Sequence, residues 1–122
     1  MLQRSVVAAA AWFEMGVGAI FLSAPSAPSQ LLFAAQTDGA TMPLARFAGV
    51  GLLGLGIACL PSKDGPRRSA VLALLVFNLG VAILFAWLGT ATTLRGVLLW
   101  PAMILHAVIA TTLLLTGRSP GF

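Results

Sequence analysis

Residues 45–60 read ARFAGVGLLGLGIACL, and within them Gly49-Val50-Gly51-Leu52-Leu53-Gly54 spells G-x-G-x-x-G, the glycine pattern of a dinucleotide-binding turn. Such a turn needs a strand before it, a helix after it and an acidic residue about 20 positions on to meet a ribose. No β-rich segment precedes these glycines, the apolar run continues unbroken to Leu60, and Asp64 comes too early and lies among Lys63, Arg67 and Arg68. The stretch reads instead as a membrane helix, where small residues let backbones approach closely without water to drive association. At about 100° per residue, Ala45, Gly49 and Gly56 fall near one line and Gly51, Gly54 and Ala58 near the opposite one. Two small-residue faces predict a central helix with close neighbours on both sides.

The rest of the chain has the same character. Of 122 residues 59% are hydrophobic and only 8% are charged, whereas a soluble domain is about 25% charged. Seven basic and three acidic residues cannot cover a globule of this size, but lipid-facing side chains can cover helices. Together with a mean hydropathy of +1.00, this makes the chain an all-α integral membrane protein. A span needs roughly 20 apolar residues, and four stretches qualify: 5–23, 44–60, 70–88 and 96–116. They predict a four-transmembrane-helix bundle in a single membrane domain, 1–122. The first stretch follows Arg4 as a secretory signal would, but Glu14 interrupts it and prolines follow Ala24 and Ala27, so it is expected to be retained.

Arg4, Lys63, Arg67, Arg68 and Arg118 share one side of this topology, against Arg46 and Arg95 on the other. Positive-inside bias then places both termini in the cytoplasm of a multi-pass inner-membrane protein. The pI of about 11.3 reflects basic residues at helix ends, where anionic lipid headgroups are the nearest partners; nucleic acid is not expected. A lone Cys59 excludes an internal disulfide and a sulfur-based metal site.

Four polar residues lie at or near membrane depth: Glu14, Arg46, Asn78 and His106. Glu14, Asn78 and His106 each fall at the middle of a span, while Arg46 lies near a span end and snorkels outward. A charge at the bilayer centre costs about 3 kcal/mol, so Glu14 and His106 should face inward. Either Glu14 pairs with His106 and Asn78 bonds to one of them, or a protonated Glu14 donates to an amide or backbone oxygen. An intramembrane carboxylate is a functional candidate by default; Asn78 and His106 also read as ordinary structural groups. Pro101 is expected to kink the last span and open space reachable from Arg46 and Arg95. Trp87 and Trp100 mark the outer interface, whereas Trp12 faces lipid or forms a pocket wall.

The first loop, 24–43, contains Ser26-Ala27-Pro28-Ser29-Gln30, a serine cap with proline in the first turn. It predicts a short interfacial helix on the outer face, ended by Thr37-Asp38-Gly39. Spans three and four do not repeat spans one and two, which argues against an inverted-repeat carrier.

The chain resembles DoxX-like and related small four-helix bacterial membrane proteins, through Glu14 beside Gly16 and Gly18, a proline-rich outer loop, and Arg46-Phe47-Ala48-Gly49 opening the second helix. That resemblance covers most of the chain and implies a fold more than an activity. A carboxylate in the first of four helices is also similar to small multidrug resistance transporters, which implies Glu14 as a site for protons and cationic drugs. The long first loop, the few aromatic residues around the third helix and the uneven basic charge depart from that pattern. Ala102 one turn before His106 is similar to pigment-binding helices of light-harvesting proteins, implying His106 as an axial tetrapyrrole ligand.

Small size, thin loops and strong close-packing signals favour a non-enzymatic accessory or structural subunit of a larger membrane complex, or a homo-oligomer. The alternative is a proton-linked transporter or hydrophobic-ligand binder centred on Glu14, Asn78 and His106, whose ligand would be a lipid, quinone or tetrapyrrole. Enzymatic acid–base chemistry ranks third, because no nucleophile with a positioned base is evident.

Overall fold

The computed structural model describes residues 1–118, which form five helices: α1 (Leu2–Ser23), α2 (Ser26–Phe33), α3 (Thr41–Cys59), α4 (Arg68–Ala91) and α5 (Leu99–Gly117). Helices α1, α3, α4 and α5 are each long and apolar enough to cross a membrane. The chain runs up α1, down α3, up α4 and down α5. Arg4 Nη1 donates to the Lys63 carbonyl at 3.3 Å, and Gly117 lies beside Gln3. These contacts gather the start of α1, the α3–α4 turn and the end of α5 at one end, here called the basic end. The C-terminus itself lies outside the described residues.

The connections follow from local chemistry. Pro61 cannot continue α3, and Ser62 and Gly65 exchange two backbone hydrogen bonds of 3.1 Å. Gly65 holds φ +106, a value side chains resist. At the opposite end α2 forms where proline and serine open a helix, but Ser26 does not cap it. Its hydroxyl instead accepts from Thr37 at 3.0 Å. A helix end leaves four carbonyls without partners, and here those of Gln30, Leu31 and Leu32 are met. Ala34 and Ala35 donate to Gln30 and Ser29, while Gly96 and Leu98 donate to Leu32 and Leu31 at 2.9 and 2.8 Å. A Cβ on Gly96 would strike the Leu31 carbonyl, so only glycine permits this seat. Because 96–98 are committed to α2, the last long helix starts at Leu99 rather than at 96.

Helix α1 packs along its length against α3, and α4 packs along α5. The α1–α3 seam is glycine on glycine. A Cβ on Gly18 would lie 2.8 Å from the Gly49 carbonyl oxygen, and one on Gly49 would lie 2.7 Å from that of Gly18. Gly56 sits equally tightly against Ala11 and Met15, and Ala45 is half-buried on the same line. The other small-residue face corrects the expectation of neighbours on both sides. Gly51 and Gly54 would meet nothing within 4 Å, and Ala58 is exposed. The central element is α1, which touches all four other helices; α3 makes few contacts with α4, and of its second face only Gly51 borders the gap between them.

Toward the basic end the gap closes. Val7, Ala10, Ala11, Cys59, Ala70, Leu74 and Leu113 form one apolar cluster, and the Cys59 thiol lies 3.7 Å from the Ala70 carbonyl oxygen. Small side chains on α1, α3 and α4 allow the helices to converge there.

Candidate functional site

Above the apolar cluster the helices part around a cavity of about 890 Å³. Phe13, Glu14, Leu55, Phe77 and His106 are its residues nearest the basic end, and Leu31, Leu32 and Phe33 of α2 lie at the far end. Large side chains on α1 and α4 hold the walls apart, notably Phe21, Phe77 and Phe85. Gly51 and Ala48 leave the α3 wall bare. Among the lining side chains only Glu14 and His106 are polar.

His106 is 7% exposed, and its Nδ1 lies 2.7 Å from Asn78 Oδ1. The same amide donates through Nδ2 to the Leu74 carbonyl at 2.8 Å. That carbonyl only accepts, so the amide orientation is settled and Oδ1 faces the imidazole. Nδ1 therefore carries the proton, and in the neutral ring Nε2 bears the lone pair. Phe13, Phe77 and Phe85 stand edge-on around the imidazole, with centroids 6.1, 6.0 and 6.1 Å away. Phe85 also meets Phe33 of α2 edge-to-face at 5.7 Å, which links the short helix to the site through one aromatic chain.

Glu14 is 1% exposed. Its Oε1 is buried without a hydrogen-bond partner among the described residues. Native structures pair nearly all buried polar atoms, because an unpaired one costs about 1–3 kcal/mol. An unpartnered carboxyl at a cavity is therefore the feature of this fold that most requires an explanation.

Of the four polar residues singled out in the sequence, Asn78 and His106 are bonded, and Glu14 joins His106 at the same cavity. Neither expected arrangement of Glu14 is present: no ion pair with His106 and no bond to a backbone or amide oxygen occurs among the described residues. Asn78 is fully buried behind the imidazole and takes no part in the lining. Arg46 is exposed and lies outside the cavity. Pro101 does not act as a kink. It occupies the first turn of α5, where a missing N–H costs nothing, and the space comes from the splay of two helix pairs. Trp12 points outward at 62% exposure, so its neighbour Phe13 forms the wall. Trp100 packs over Gly89 and closes the α4–α5 seam.

Ala102 lines the cavity one turn from His106. No group of three or more His, Cys, Asp or Glu able to hold a metal ion occurs among the described residues. Sequence reasoning missed the cavity-lining phenylalanines and Gly96. The phenylalanines recur at 13 and 21 and at 77 and 85, each pair eight apart on one helical face, which is a usable signal. Comparisons with protein-family models, curated proteins and solved structures found no match.

Proposed function

We propose that this protein is a four-helix integral membrane protein that binds an apolar small molecule in the cavity between its two helix pairs. The observation that carries this reading is the 890 Å³ apolar cavity with the unpartnered Glu14 carboxyl and His106 Nε2 at one end. Its volume is at the upper end of the range of about 300–1,000 Å³ for small-molecule sites, and those sites share its apolar walls with few polar groups. In this reading the basic end faces the cytoplasm, following the five basic residues there against Arg46 and Arg95, and α2 lies at the outer interface. The likeness to DoxX-like proteins is proposed for the fold alone.

The test fills the cavity. Gly51 has open space before it, so Gly51→Phe should leave the purified protein folded while abolishing uptake of a lipophilic fluorescent probe from detergent or nanodiscs. Probe binding equal to wild type would sink the reading. A tetrapyrrole on His106 Nε2 is checked in the same preparation, because it would colour the protein.

A second reading, an accessory subunit, is favoured by the exposed small residues Gly54 and Ala58 on α3. Unpartnered small faces suit close helix docking. Gly54→Leu should then dissociate a complex isolated in mild detergent; a protein that is monomeric both before and after the substitution counts against this reading.

A further inference from the structure

We infer that the ligand is an uncharged amphiphile with a single hydroxyl head, a lipid alcohol, whose hydroxyl sits between Glu14 and His106. This rests on the reading of the cavity as a membrane-embedded binding site. The polar groups sit deep in the fold and α2 covers the other end of the cavity, so the ligand's head must reach the middle of the four long helices. In a bilayer that depth is costly for a charge or a phosphate, which excludes ordinary phospholipids from binding head-first. The lining narrows the class further. Glu14 and His106 are its only polar side chains, and three phenylalanine rings surround the imidazole. A ligand with several polar groups would leave most of them unpaired.

The hydroxyl follows from the donor and acceptor inventory. Nδ1 of His106 is held by Asn78, so Nε2 accepts in the neutral ring. The Glu14 carboxyl has no partner for Oε1. A hydroxyl both donates and accepts: it donates to Nε2 while accepting from a protonated Glu14, or it donates to an ionised Glu14. It therefore gives the carboxyl a partner in either protonation state. A bare hydrocarbon would do so in neither. From Glu14 to Phe21 the α1 wall rises about 10 Å at ~1.5 Å per residue, enough for a chain of about ten carbons along the walls.

The experiment is a head-group series on one chain: tritiated dodecanol, dodecylamine, dodecanoic acid and dodecane, bound to the protein in nanodiscs with partition into empty nanodiscs subtracted. Farnesol measured beside dodecanol separates an isoprenoid from a straight-chain source of the same head. Dodecanol or farnesol should bind about ten-fold tighter than dodecane, the yield of two net hydrogen bonds. Glu14→Leu removes one of the two bonds and should reduce that preference to about three-fold while dodecane still binds, which also reports that the cavity is intact. Glu14→Gln keeps hydrogen bonding without charge and should retain the preference. Equal binding of alcohols and dodecane, preference for the amine or acid, or loss of the preference in Glu14→Gln overturns the hydroxyl assignment and leaves the cavity reading standing. Binding of no member of the series overturns the cavity reading itself.

Discussion

The two halves of this protein are built from the same four long helices and behave as different materials. Toward the basic end, Ala10, Ala11, Cys59 and Ala70 are small enough for the helices to meet, and Leu74 and Leu113 fill what remains. Toward the other end, Phe13, Phe21, Phe77 and Phe85 line a cavity, and three of them stand edge-on to the His106 ring. The Gly18–Gly49 contact in one half and Gly56 against Ala11 and Met15 in the other keep α1 and α3 together throughout. The parting therefore falls between helix pairs and not within one. Side-chain size at the pair interface decides where such a fold is closed and where it can hold something.

Four measurements break or sharpen that contrast. The largest effect belongs to the seam that serves both halves. Gly49→Leu drives a side chain into α1 backbone and should cost about 4 kcal/mol, enough to prevent accumulation of folded protein; expression and thermal unfolding in detergent report it. Next comes truncation in each half. Leu74→Ala removes a fully buried side chain and should cost about 3 kcal/mol, whereas Leu105→Ala, at the cavity wall, should cost under about 1 kcal/mol. Similar losses at both positions would mean that the upper half is packed as densely as the lower.

Smaller still is the polar link at the boundary. A double-mutant cycle of Asn78→Leu with His106→Leu should show about 1 kcal/mol of coupling. The cycle of Glu14→Leu with His106→Leu should show under about 0.3 kcal/mol, because no bond joins those two side chains. Strong coupling in the second cycle would restore the ion pair expected from their shared depth. Among the single substitutions the smallest effect is Gly51→Phe, within about 0.5 kcal/mol of wild type in stability, because it fills empty space.

Much of the fold was legible because long apolar runs mark long helices directly. The four long helices fall within a few residues of the expected stretches, and the glycine run proved to be helix and not a nucleotide turn. The orientation of each helix about its own axis was much harder to read. When core and surroundings are both apolar, a helix carries apolar residues all round, and periodicity no longer marks the inward face. Gly49 and Gly51 therefore looked equivalent, although one meets Gly18 and the other meets nothing. Shared depth brought Glu14, Asn78 and His106 to one level, but it could not say which two would bond. That depended on the Leu74 carbonyl taking one side of the amide. Pro101 was misread for a related reason: its meaning depends on where α5 begins, and that is fixed by the distant carbonyls of Leu31 and Leu32.

The amide of Asn78 has a directional consequence. By occupying Nδ1, it leaves Nε2 as the one ring nitrogen with which the imidazole can bond anything else. Toward the basic end lies a stopper of alanine, leucine and valine whose one heteroatom side chain is the Cys59 thiol. In the proposed binding reading, His106 therefore meets its ligand through one atom, and the amide behind it fixes which.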